Sequence, residues 1–133
     1  MSLKTRMLGL LAGLGLALSG ASAHADGDFL ILDILPIHEG KTLDDARAYF
    51  DAVEPIFAEH GMVRSDAVLE VTGILRGPVE AEVVNLWETD NPQASFDGIF
   101  ADARYLEHAA NRDSIFRLRD ATIIITRREE GEQ

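Results

Sequence analysis

Between positions 29 and 127, apolar residues recur either with the spacing of β-strands or with the spacing of α-helices. The order of these segments along the chain is compatible with few folds. Runs typical of strands and stripes typical of helices follow one another as strand, helix, strand, strand, helix, strand. The second helix is interrupted by a break near Asp102. The predicted elements span residues 29–35, 43–60, 66–75, 79–88, 92–109 and 121–126.

Both predicted helices begin at recognisable caps. Thr42 is followed three residues later by Asp45, which resembles a capping box with aspartate in place of the usual glutamate. Asn91 precedes Pro92, so an N-cap residue stands before a proline at the first helical position. Gly61 follows the first helix, where a left-handed C-terminal cap is favoured.

This order of elements predicts an α+β fold of the ferredoxin-like βαββαβ type. Such a fold has a four-stranded antiparallel sheet with its helices on one face. The other face is open, and we expect it to expose Leu69, Val71, Ile123 and Ile125. Because an exposed apolar sheet face favours packing against a second copy, the sequence predicts a homodimer.

The first 25 residues have the parts of a Sec-type signal peptide. Lys4 and Arg6 give a positive start, residues 7–18 form an uncharged apolar run, and the segment ends in Ala23-His24-Ala25. We therefore expect cleavage near Ala25 and a periplasmic or secreted mature chain. Since the apolar run is shorter than the about 20 residues of a membrane span, no stable membrane association is expected after cleavage. An uncleaved anchor is the alternative.

Residues 26–133 have the length of one domain, with an ordered core expected at about 29–127. The chain contains no cysteine, which excludes disulfides and thiolate chemistry. The signal peptide holds two of the 12 basic residues and none of the 23 acidic ones, so the mature net charge is −13. So acidic a protein repels phosphate backbones, and nucleic acid is not an expected partner.

Asp33 interrupts an otherwise apolar strand and is the first candidate for chemistry. A buried carboxylate without a partner is costly, so it should find a donor or face a pocket. Arg112, Arg104, Tyr105 and Asn85 are the candidate donors. In a pocket, Asp33 would have a raised pKa and could act as an acid or base. Alternatively, the strand tilts this residue into solvent.

The candidate pocket residues are polar or aromatic. Trp87, Tyr49 and Tyr105 either line an aromatic pocket or belong to the core. Asn85 and Arg112 complete this set. The mature chain also has His38, His60 and His108, each next to a glutamate in sequence. Neighbouring residues on a helix do not face each other, so a histidine and the adjacent glutamate do not form a ligand pair. The histidines are also not spaced so that three or four ligands converge, and no metal site is expected.

Three segments carry a resemblance to a known superfamily. Residues 83–89 form a strand that ends in an aromatic residue and an acid, residues 92–96 open a capped helix, and residues 102–108 contain a tyrosine element. Residues 55–61 are a looser match. On these segments the chain resembles the dimeric α+β barrel superfamily, and within it uncharacterised families related to antibiotic-biosynthesis monooxygenases. The resemblance covers about residues 29–127.

The resemblance implies a dimer whose two sheets pack into a barrel, with a pocket between sheet and helices in each subunit. Haem-degrading members of the superfamily use a tryptophan and a histidine on the second helix and an asparagine on the first strand. In this chain the tryptophan position falls near Ile99, and the histidine position falls near Ala109, one residue after His108. The first strand has Asp33 instead of asparagine. One residue turns a helical side chain by about 100°. We therefore expect no cofactor, haem included.

Three functions follow from these features. The first is an exported dimer that binds a small apolar or amphipathic molecule in the pocket. The second is a monooxygenase- or isomerase-like enzyme that uses Asp33 and His108 as acid–base groups. The third is a structural interaction module.

Overall fold

The computed structural model describes residues 27–129, so the predicted signal peptide lies outside the described residues. The strands are β1 (Phe29–Leu35), β2 (Val63–Arg64), β3 (Leu69–Glu70), β4 (Val83–Thr89) and β5 (Thr122–Arg127). The helices are α1 (Leu43–Glu59), α2 (Pro92–Phe100), α3 (Ala103–Leu106) and α4 (Ala109–Ile115), followed by a 3-10 turn (Leu118–Asp120). The predicted order of strands and helices is confirmed.

The strands form one antiparallel sheet in which β1 is central. It lies between β4 and β5, and the other edge of β4 carries both β2 and β3. Asp33 stands opposite Asn85 of β4 and Ile123 of β5, so these three residues point to the same side of the sheet. That side also carries Ile31 and Trp87, both 1% exposed, and the helices cover it.

The strand predicted over residues 66–75 is much shorter in the structure. β2 and β3 are two short pieces that share one position in the sheet, which gives five strands instead of four. Val71 still donates to the carbonyl of Glu82, but residues 72–80 are exposed and belong to no strand. Gly77, with a φ of +102°, lies in the turn between the two predicted arms, and the second arm also begins late, at Val83 instead of residue 79.

The local cap signals correspond to the observed helix starts. Thr42 and Asp45 form the predicted capping box at the start of α1. Asn91 accepts a hydrogen bond from the backbone of Ala94 at 3.1 Å, and α2 begins at Pro92. After the predicted break, Asp102 is the N-cap of α3. Gly61 has a φ of +83° after α1, as expected of a left-handed cap.

The core between α1 and the sheet is aromatic. The ring centroid of Trp87 lies 4.7 Å from that of Phe57 and 6.2 Å from that of Phe50. Phe116, just after α4, lies 5.3 Å from Phe50 and 5.6 Å from Tyr49. These tilted and edge-on contacts connect α1, β4 and the segment after α4, so the wall of rings holds the helices at a fixed distance from the sheet.

The sheet face turned away from the helices, here called the open sheet face, is largely apolar. Its apolar side chains are those of alternate residues in β1, β4 and β5, and it also carries the polar side chains of three residues. The apolar residues are Leu30, Leu32, Ile34, Val84, Leu86 and Ile124, and the polar ones are Glu88, Thr122 and Thr126. Leu69 of β3 stands opposite Val84 and shares this face, as expected. Within residues 27–129, the helices are too short or too polar to cross a membrane.

Two of the residues expected on the open sheet face point the other way. Ile123 pairs with Asp33 and Ile125 pairs with Ile31, so both share the helix-covered side of the sheet. They nevertheless stay 57% and 52% exposed, because β5 is an edge strand that extends beyond the cover of the helices. The expectation of exposure was right and the assignment of the face was wrong.

Candidate functional site

A cavity of about 400 Å³ lies between the helices and the inner face of the sheet. Aromatic side chains from α1, α2, α3 and β4 supply seven of its sixteen lining residues, and Phe100, Leu118 and Ile123 are exposed at its rim. Its charged wall residues are Asp33 and Arg112. A concave apolar space with a few polar groups is the usual form of a small-molecule site.

Asp33 lies in the middle of β1 and reaches this cavity from the sheet. Its neighbours on the same side of the strand are Ile31 and Leu35, which are almost fully buried. Burial in these apolar surroundings raises the pKa of Asp33 to about 7, and a hydrogen bond from the Trp87 side chain opposes the shift. The carboxyl group is therefore balanced between its neutral and ionised forms near neutral pH.

The opposite wall holds a chain of polar side chains. The Nη1 atom of Arg112 donates to the Tyr105 hydroxyl at 2.7 Å, and its guanidinium lies 5.6 Å from the centre of that ring. The Nε atom of Arg112 donates to Asp113 at 2.9 Å. Burial, and then the neighbouring Tyr105 hydroxyl, raises the pKa of Tyr49. This wall is held in place by its own hydrogen bonds.

The structure brings together most of the predicted site residues. The cavity wall includes Asp33, Trp87, Tyr49, Tyr105 and Arg112. Arg112 does not pair with Asp33, however, because its donors are directed at Tyr105 and Asp113. Trp87, Tyr49 and Tyr105 line the cavity and also belong to the buried core, so both interpretations describe part of their surroundings.

Two predicted site residues lie apart from the cavity wall. Asn85 is fully buried beside Asp33, and its amide has no hydrogen-bond partner within residues 27–129. His108 precedes α4, and its ring packs edge-on against Tyr49 with the centroids 6.5 Å apart. Tyr49 lines the cavity, whereas His108 only contacts Tyr49 and does not line the cavity itself. His108 and Asp33 therefore do not share one site.

Sequence reasoning missed a polar cluster at the end of α1. The Nε2 atom of His60 lies 2.9 Å from a carboxylate oxygen of Asp102, and Arg104 bridges Asp102 to Glu59. The Arg104 guanidinium, and then His60, lowers the pKa of Asp102. These residues join α1 to the start of α3. About 40 positions separate Glu59 and His60 from Asp102 and Arg104, so no local sequence pattern indicates that these residues meet. No cluster of three metal-ligating side chains occurs within residues 27–129.

Comparison with solved structures identifies the fold. The chain is similar to a protein of unknown function from Rhodopseudomonas palustris, with 19% identity and a TM-score of 0.59 over 83% of this chain and 91% of that one. It is similar to SnoaB, a cofactor-independent oxygenase from Streptomyces nogalater, with 15% identity and a TM-score of 0.54 over 79% and 97%. A dimeric ferredoxin-like protein of unknown function from Thermobifida fusca has 11% identity and a TM-score of 0.51 over 77% and 93%.

These likenesses confirm the ferredoxin-like α+β fold. At identities below 20%, a structural likeness shows a shared architecture and carries no conclusion about activity. No protein-family model and no curated protein matches the sequence. The function has to be inferred from the cavity itself.

Proposed function

We propose that this chain is an exported homodimer that binds a small apolar or amphipathic molecule in the cavity between its helices and its sheet. The cavity carries the proposal, because a largely apolar space of about 400 Å³ is large enough for such a molecule. Asp33 and Arg112 are the charged residues of its wall. A ligand with an apolar body and a polar group would match this lining.

Binding is testable with the neutral fluorescent probe N-phenyl-1-naphthylamine. We expect saturable fluorescence enhancement with one probe per chain. Ala121 lies on the cavity wall, so Ala121→Trp should fill the space and weaken binding by about tenfold or more, which equals about 1.4 kcal/mol. The matched control is Ala52→Trp on the exposed side of α1. Absence of saturable binding, or equal binding by both variants, would contradict the proposal.

The homodimer is proposed from the open sheet face. Its apolar side chains from three strands form a continuous surface of the kind that a second copy covers. The similar protein from Thermobifida fusca is described as dimeric, which supports the same arrangement here. Export is proposed from Lys4, Arg6, the apolar run and the small residues before Asp26.

One mass measurement tests the dimer and the cleavage together. Full-length protein is produced with its own leader and recovered from the compartment to which it is delivered. Native mass spectrometry should then give the mass of two copies of residues 26–133. A full-length mass would contradict cleavage near Ala25. A monomer at micromolar concentration would contradict the dimer, and Leu32→Glu on the open sheet face serves as the reference for a dissociated chain.

An enzyme is the second candidate, and the Asp33 carboxyl favours it. A carboxyl with a pKa of about 7 in an apolar cavity is suited to act as a general base. SnoaB, of the same fold, is described as a cofactor-independent oxygenase. Proton abstraction by Asp33 should exchange the α-hydrogens of a bound apolar ketone such as 2-tetralone in deuterated water. Equal exchange rates with the parent protein and with Asp33→Asn would exclude this role.

A further inference from the structure

We infer that the molecule bound in the cavity is a hydrophobic amine whose protonated nitrogen pairs with Asp33. This inference rests on the proposed binding function and names its ligand class. It follows from the distribution of charges on the cavity wall and from the aromatic rings around them.

Asp33 is available for a ligand cation. None of the ion pairs formed within residues 27–129 includes it. Trp87 is the one side chain that lowers its pKa, which leaves acceptor sites on the carboxylate for a ligand. A buried carboxylate without a cation is unstable, so a ligand that brings a positive charge gains the most by binding there.

Arg112 does not offer an equivalent site for a ligand anion. Two of its donor atoms are used by Asp113 and Tyr105, at 2.9 and 2.7 Å. The charge of Asp113 already balances that of Arg112. An acidic ligand would therefore meet a neutralised guanidinium on one wall and the carboxyl group of Asp33 on the other, which disfavours binding of anions.

The aromatic wall suits a cation with an apolar body. Rings attract ammonium groups through their negative faces, most strongly where water is excluded. Trp87 lies on β4, the strand paired with β1, and it lines the cavity with Phe50 and Tyr49; these rings pack against each other or against Phe116. Low polarity around the carboxyl group strengthens a charge-assisted hydrogen bond to it.

The charge of the whole protein acts in the same direction. The full chain has a net charge of −11, and its acidic residues outnumber its basic residues by 23 to 12. A negative potential raises the local concentration of cations and speeds their association. Anionic molecules of the same size are repelled before they reach the cavity.

The test compares three ligands of the same size by isothermal titration calorimetry at pH 7.5. They are 1-naphthylmethylamine, the neutral 1-naphthalenemethanol and the anionic 1-naphthoate. We expect the amine to bind the parent protein about tenfold or more tightly than the alcohol, as expected for a paired charge, and naphthoate to bind most weakly. Asp33→Asn should abolish the preference for the amine. Asp44→Asn, which removes an exposed charge outside the cavity, should keep it.

Proton release gives a second readout. At pH 6.5 much of Asp33 is neutral in the free protein, so pairing with an ammonium group should release a proton to the buffer. The other ionisable groups on the wall are Tyr49, Tyr105 and Arg112, and none of them is a carboxyl or an imidazole group. Titrations in two buffers with different ionisation enthalpies should show release by the parent protein and none by Asp33→Asn.

The outcomes separate the two proposals. If the alcohol binds the parent protein as tightly as the amine, or if Asp33→Asn keeps the preference, the amine inference is wrong while the binding function stands. If naphthoate binds best, Arg112 is the anchor and the inference is again wrong. If none of the three ligands binds, and the fluorescent probe also fails to bind, both proposals are wrong.

Discussion

Asp33→Asn should raise the free energy of unfolding by about 2 kcal/mol at pH 8, and this gain should shrink toward zero as the pH falls to 4. In the folded protein the pKa of Asp33 is raised from 3.8 to about 7 by burial in the cavity wall. The folded state therefore holds a proton that the unfolded state releases between these two pH values. Stability falls as the pH rises through this window, and asparagine removes the penalty.

The size of the effect follows from the same two values. A difference between about 7 and 3.8 corresponds to about 4 kcal/mol for a fully enclosed group. Asp33 is only half-buried, because it keeps some exposure to the cavity, so about half of that is the expected gain. Asparagine has nearly the same size and can still accept the hydrogen bond from Trp87.

Urea unfolding at pH 4, 6 and 8 checks this prediction. The parent protein and Asp33→Asn are compared at each pH, so that other acidic residues affect both equally. Asp44→Asn is the control for the loss of one negative charge, since Asp44 is almost fully exposed and lies outside the cavity. A constant difference between parent and Asp33→Asn at all three pH values would mean that Asp33 titrates like an exposed aspartate.

Trp87→Ala should lower the free energy of unfolding by about 4 kcal/mol, because it removes the largest buried side chain of the core. Trp87 lies in the middle of β4, is 1% exposed and faces Ile31 across the strand pair. Its ring contacts Phe57 and Phe50 of α1. Loss of the indole would enlarge the existing cavity and separate α1 from the sheet.

Denaturant unfolding followed by circular dichroism measures this loss. Trp87→Phe is the matched control, because it keeps an aromatic ring in the same place and should cost about 1.5 kcal/mol. Should Trp87→Ala fail to fold, Trp87→Leu gives an intermediate loss that is still measurable. Equal stabilities of Trp87→Ala and Trp87→Phe would show that the wall of rings does not support the sheet.

Much of the fold could be predicted because its signals are local. The cap at Thr42, the Asn91-Pro92 pair and the break at Asp102 each depend on residues within a few positions, and each lies where the structure starts a helix. The apolar run of β1 likewise lies within seven consecutive residues. The order of these elements then fixes the topology, since few arrangements join them without crossing.

The remaining features depend on contacts between distant residues. The length of the strand after α1 is set by its pairing with β4, and the β-branched residues near Gly77 predict a longer strand than pairing allows. The face of Ile123 is fixed by its register with Asp33, 90 positions earlier. The link of Arg112 to Tyr105 and Asp113, and not to Asp33, depends on side-chain placement in the same way.

The edge position of β5 has a consequence for aggregation. A run of Thr, Ile, Ile, Ile and Thr with no charge has the composition of segments that recruit further strands into fibrils. Its outer edge pairs with no other strand of the described chain. Arg119 lies before this run and Arg127 and Arg128 end it, and bulky charges in these positions act as gatekeepers against edge-to-edge stacking.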